Sequence, residues 1–163
     1  MLSGLAGSLA FAEISREYRI KAAYLYNLLR FINWPPVEQS EETPVTICIY
    51  GYNPFERYLE KLETRKVDDR PIKIRYVGEP DPLDGCAMLF ISQYNTTEPA
   101  LLSAESPPPI LTVSDGDNFL RRGGMVALAN VGNNIQLDIN LTRGRAAGFQ
   151  FSANLLEVAR TVR

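Results

Sequence analysis

Val45-Thr46-Ile47-Cys48-Ile49-Tyr50-Gly51 is a β-branched and aromatic run that ends on a glycine, the pattern of a short strand entering a tight turn. On its C-terminal side the spacing predicts a helix from residue 53 or 54 to about 64, so residues 45–64 read as strand, turn and helix. The pattern then repeats. Residues 72–77 form a strand, and Ala87-Met88-Leu89-Phe90-Ile91 is a near-continuous apolar run of the kind covered on both faces of a parallel sheet. Residues 97–104 predict a short helix, and Ile110-Leu111-Thr112-Val113 another buried strand. Strands alternating with helices at this spacing call for right-handed βαβ units in a Rossmann-like arrangement.

Beyond residue 124 the character changes. Residues 125–131 and 135–139 flank Gly132-Asn133-Asn134, and in the second run Ile135, Leu137 and Ile139 alternate with Gln136, Asp138 and Asn140. This is a hairpin with one wetted face. The expected fold class is therefore α/β: a Rossmann-like three-layer fold whose mostly parallel sheet carries a C-terminal antiparallel hairpin. Phe149-Gln150-Phe151 adds a short extended piece, and Ser152 caps a last helix that docks Leu155, Leu156, Ala159 and Val162 on the sheet.

On the N-terminal side, residues 13–34 place Tyr18, Ala22, Leu25, Leu29 and Ile32 at steps of four and three, the period of one helical face. A second stripe of Ile20, Tyr24, Leu28 and Phe31 makes this helix apolar on more than one side, so it needs more than one covering surface. Pro35-Pro36 end it. Ahead of it, residues 1–12 are small and apolar and finish in Ala10-Phe11-Ala12, the small-x-small form that signal peptidases cut. Residues 1–12 are expected to be part of an export signal, with no Lys or Arg before the apolar run, and residues 13–163 a single domain.

The composition removes several classes of function. In 163 residues there are 17 Lys and Arg against 19 Asp and Glu, a formal charge of −2, without the basic excess that contact with a phosphate backbone demands. No nucleic-acid partner is expected. The chain has no histidine, so Ser-His-Asp and Cys-His catalysis and most zinc sites are out of reach. Two cysteines remain, Cys48 in the first strand and Cys86 at the head of the run Ala87–Ile91. If those strands are neighbours the pair comes within disulfide reach, and in an exported protein a disulfide is the expected state, with a buried pair of free thiols the alternative.

Other constellations are weaker. Gly51 and Asn53 lie where a strand end meets the expected helix N-terminus, a candidate turn for an anion or small ligand, although simple capping explains the same residues. Asp68-Asp69, Asp81 with Asp84, and Asp115 with Asp117 lie in turn-like stretches where Asp serves the local backbone. Arg121-Arg122 before Gly123-Gly124 reads as a solvated helix end. Nothing calls for a cofactor or metal, and none is expected.

Taken in order, YRIKAAYLYNLLRFINWP, VTICIYGYNPF, GCAMLFI, ILTVSD, GGMVAL, IQLDIN and FQFSANLLEVA resemble the YfiR family of bacterial periplasmic regulators over about residues 18–162. Both cysteines fall at that family's first disulfide pair, and the second, C-terminal pair has no counterpart. The resemblance implies a non-enzymatic periplasmic repressor. Such a protein binds the periplasmic sensory region of an inner-membrane diguanylate cyclase, keeps cyclic di-GMP low and restrains biofilm formation, with an OmpA-like outer-membrane lipoprotein as sequestering partner. The expected partner surface draws on Gln136, Asp138, Asn140, Phe149 and Phe151, or on the second stripe of the first helix, and a homodimer could use either. Two rivals come from other classes: an exported small-ligand receptor using the Gly51 turn, and a hydrolase using Asp115 and Asp117.

Overall fold

A computed structural model describes residues 3–36 and 42–163. The parallel core holds four fully formed strands: β2 (Val45–Tyr50), β4 (Arg70–Val77), β5 (Cys86–Ile91) and β6 (Leu111–Ser114). It continues through β7 (Val126–Val131) into the antiparallel β8 (Asn134–Ile139), joined by a two-residue turn at Gly132, whose φ is +61°. Two-residue strands trim the edges, β3 (Lys66–Val67) on β4 and β10 (Thr161–Val162) on β8, to give the order β10-β8-β7-β6-β5-β2-β4-β3. The mostly parallel α/β sheet with its C-terminal hairpin is the expected architecture.

Two apolar layers flank the sheet. The larger joins Ile47 and Ile49 of β2 and Met88 and Phe90 of β5 to the helix α1 (Ser3–Phe31). Tyr18, Ala22, Leu25, Leu29 and Ile32, the first stripe, are all buried there. The opposite layer takes Cys48 and Tyr50 of β2 with Leu89 and Ile91 of β5, covered by Leu102 and Phe119 from two 3-10 turns, Ala100–Ser103 and Phe119–Arg122. A register shift between Thr46 and Ile47 puts Cys86 on this second face. The Cys48–Cys86 disulfide is formed there, across two adjacent strands.

Four local expectations are corrected. The helix expected from residue 53 or 54 to 64 is a set of turns closing in a 3-10 helix, Glu60–Thr64. Phe55, Leu59 and Leu62 have helical spacing and are buried, but Glu56 takes φ +54°, which a continuing α-helix forbids. The short helix over 97–104 is likewise only the 3-10 turn Ala100–Ser103. The first helix stops at Phe31, because Ile32–Asn33 (β1) leaves it to pair antiparallel with Gln150–Phe151 (β9) ahead of the two prolines. Finally, Ser152 caps α3 (Ala153–Val158) through Leu155 N–H as expected, but Val162 lies beyond that helix, in β10 and 41% exposed.

Candidate functional site

The strand order β4-β2-β5-β6-β7 reverses direction between β2 and β5, so the carboxyl ends of these two strands open a crevice at a topological switch point. Three loops meet there: Gly51-Tyr52-Asn53 after β2, Ser92-Gln93-Tyr94 after β5, and Asp115 immediately after β6. Helix α1 passes across the same edge, with Tyr18 and Lys21 turned into it.

The Asp115 side chain has no solvent exposure and gathers four donors. It accepts from Tyr18 Oη at 2.5 Å, Lys21 Nζ at 2.9 Å, Gln93 N–H at 2.8 Å and Gln93 Nε2 at 3.2 Å. Lys21, itself fully buried, is also paired with Glu17 one helical turn earlier, and Glu17 accepts from Asn130 of β7. Burial, together with the hydrogen bond to Asp115, pushes the Tyr18 phenol far above its ordinary range. The oxygens of this carboxylate are taken up by the protein's own donors, and the ion-paired group anchors the helix to two loops.

Over this anchor runs a chain of rings. Phe90 meets Phe55 at 4.7 Å between centroids, Phe55 meets Tyr18 at 5.4 Å, Tyr18 meets Tyr94 at 6.5 Å, and Tyr94 meets Tyr52 at 5.8 Å. The chain leads from the core to solvent, ending on Tyr52 and Tyr94, which are 58% and 52% exposed. The buried stripe of α1 also continues past the sheet: Ile14 and Phe11 follow Tyr18 at steps of four and three, yet are 44% and 76% exposed. The carboxyl edge therefore presents two tyrosine rings beside an overhanging apolar helix face.

The Gly51 turn is closed from within. Gly51 N–H donates to Val77 O, Tyr52 N–H to Asn95 Oδ1, and Phe55 N–H to Asn53 Oδ1. Asn95 also donates to Tyr50 O and sits where any side chain at residue 51 would go, its Oδ1 2.4 Å from such a Cβ. The amides of Gly51, Tyr52 and Phe55 are thus engaged within the turn itself, as local capping requires.

The C-terminal residues expected at a partner surface are mostly engaged inside the fold. Phe149 is 2% exposed and packs edge-on against Trp34 at 5.3 Å. Asp138 is buried and bonded twice by Arg160, and Asn140 caps α2 (Leu141–Ala146) through Arg143 N–H. Phe151 is half-buried, its ring filling the space over Gly144, and Gln136 is half-buried on β8. In the second stripe of α1, Leu28 is buried and Tyr24 donates to Ile135 O, while Ile20 and Phe31 stay 39% and 40% exposed.

Sequence reasoning reads Tyr18 only as part of a buried helical face and passes over Lys21, Gln93, Tyr52 and Tyr94 as site residues. One signal was available: Lys21 interrupts a buried apolar stripe, and a lysine there requires a buried counter-charge from elsewhere in the chain.

The model of one protein family matches residues 18–160, a family described as YfiR/HmsC-like. The chain belongs to the YfiR/HmsC-like family. Membership supports, at the level of the family, a periplasmic regulator acting on a diguanylate cyclase. The Cys48–Cys86 bond suits an oxidising compartment, and among the described residues no helix is long and apolar enough to cross a membrane. Comparison with curated proteins gives no match.

Proposed function

We propose that this YfiR/HmsC-like protein binds the periplasmic sensory region of an inner-membrane diguanylate cyclase and holds the enzyme in a low-activity state, lowering cyclic di-GMP and biofilm formation. The observation that carries this reading is the carboxyl edge of the sheet. Exposed Tyr52 and Tyr94 sit beside the apolar face of α1 that overhangs at Ile14, all on a scaffold fixed by the buried Asp115–Lys21 pair. Aromatic side chains held by a rigid base are what protein interfaces concentrate their binding energy on, because little conformational freedom is lost when they are covered. The partner surface is thus centred on the carboxyl edge and the exposed part of α1, with Gln136 and Phe151 at most peripheral.

Residues 1–12 act as an export signal in this reading, which leaves Ile14 in the mature protein. An OmpA-like outer-membrane lipoprotein competes for the regulator, and a homodimer that covers the same edge is inactive. The test is reconstitution of a full-length cyclase from the same organism in vesicles, with the regulator added on the periplasmic side. Cyclic di-GMP synthesis should fall in a saturable way; synthesis that stays constant at saturating regulator would sink the proposal.

A further inference from the structure

A second surface lies along α1, between it and the β2–β4 connection. Arg19, Tyr26 and Arg30 follow one another along the helix, and across a groove they face Tyr58, Lys61 and Arg65 from the β2–β4 connection. The groove has a volume of about 350 Å³. Its floor is low because Ala22 and Ala23 stand in the middle of the helical wall.

The cations fall into two sets, each around one tyrosine, with Arg30 also 5.7 Å from the Phe31 ring centre. Arg19 and Lys61 lie 5.7 and 5.3 Å from the Tyr58 ring centre; Arg30 and Arg65 lie 5.7 and 5.1 Å from that of Tyr26. Among the described residues none of the four forms an ion pair, in a protein whose net charge is −2. Two acids of the same connection are directed elsewhere. Glu63 accepts from Ile74 N–H and Glu60 from the Tyr76 hydroxyl, both on β4. Four like charges held over two rings repel one another, and an anion laid between them removes that cost while gaining charge-assisted hydrogen bonds.

We infer that this groove is a docking site for an extended acidic segment of a partner protein, with carboxylates at the two cation sets and an apolar residue over the alanine floor between them. The dimensions agree: Arg19 to Arg30 is eleven residues of helix, roughly 16 Å at 1.5 Å per residue, which is about five residues of extended chain. A bilayer surface is flat and is met by side chains that reach outward, whereas these guanidinium groups lie against rings on the walls of a concavity. The inference does not depend on the partner being a cyclase.

The test is fluorescence anisotropy on the full chain with a labelled peptide of alternating glutamate and leucine. Wild type should bind it, more weakly as salt is raised. Arg19→Gln with Arg65→Gln, one cation from each set, should weaken binding at least about tenfold, the loss expected for removing charge-assisted contacts. Arg30→Gln with Lys61→Gln should do the same, and the exposed Arg145→Gln should not; circular dichroism verifies folding of each. Equal affinity in wild type and both double variants would overturn the inference. So would a peptide that fails to bind while phosphatidylglycerol vesicles or inorganic phosphate bind in an Arg19- and Arg65-dependent way.

Discussion

Replacing Asp115 by Asn changes one atom in a site with no solvent exposure, and the structure sets the size of the effect. The carboxylate now accepts four hydrogen bonds, one from the buried Lys21 ammonium. An amide of the same shape can present its oxygen to Tyr18 and Lys21 only by turning its NH2 towards the Gln93 amide, a donor facing a donor. Lys21 then keeps only Glu17, whose side chain is 25% exposed, as counter-charge. Breaking a buried pair by removing one partner costs about 3–5 kcal/mol. For a chain of this length that corresponds to a drop in Tm of roughly 6–20 °C. Thermal and urea denaturation followed by circular dichroism measure it. Adding Lys21→Met removes the stranded charge, so the double variant should be less destabilised than the sum of the two single variants, with a coupling of about 0.5–3 kcal/mol. An Asp115→Asn variant that loses under about 1 kcal/mol and combines additively with Lys21→Met would refute the view of this pair as the anchor between α1 and the carboxyl edge.

Other consequences concern stability. The Cys48–Cys86 bond closes a loop with a sequence separation of 38, worth about 4 kcal/mol in the chain-entropy model. Cys48→Ala with Cys86→Ala should therefore lower the urea midpoint markedly, whereas reductant should have no further effect on that variant; an unchanged midpoint would remove the disulfide from the account. Alkaline pH should also destabilise the fold. The Tyr18 and Tyr50 phenols are raised by burial, so above about pH 10 the unfolded chain releases protons that the folded one keeps, and stability falls with rising pH. Each such group contributes a slope of about 1.4 kcal/mol per pH unit, and Tyr18→Phe should flatten the decline by one group.

Much of this architecture was written in periodicity. The runs of β2 and β5 carry side chains buried on both faces, and the stripe from Tyr18 to Ile32 packs on the sheet in the order its spacing implies. The connections were less legible. Phe55, Leu59 and Leu62 repeat at four and three whether the backbone is an α-helix or a set of turns closing in a 3-10 helix, and only the positive φ at Glu56 separates the two. The strand pair β1–β9 joins residues more than a hundred positions apart, so no local pattern could end the first helix at Phe31 for that reason.

The candidate site was less legible still. Phe149 and Phe151 are aromatic residues in a polar neighbourhood, a pattern that fits an interface, yet one fills the core beside Trp34 and the other fits over Gly144. From the sequence, Gly51 and Asn53 fit a ligand turn and simple capping alike, because the residue that closes the turn, Asn95, comes from a different strand end. Tyr52 and Tyr94 have no distinguishing local sequence; they become a pair only because β2 and β5 are neighbours at the point where the sheet reverses.

Calorimetric titration of the cyclase's periplasmic sensory domain probes the proposed contact at this edge. Tyr52→Ala with Tyr94→Ala truncates two exposed rings, so the variant should keep the Tm of the wild type within a few degrees. With the contact at this edge, it should bind the sensory domain at least about tenfold more weakly, the effect of losing a central aromatic contact. Equal affinity of the folded variant and the wild type would contradict it.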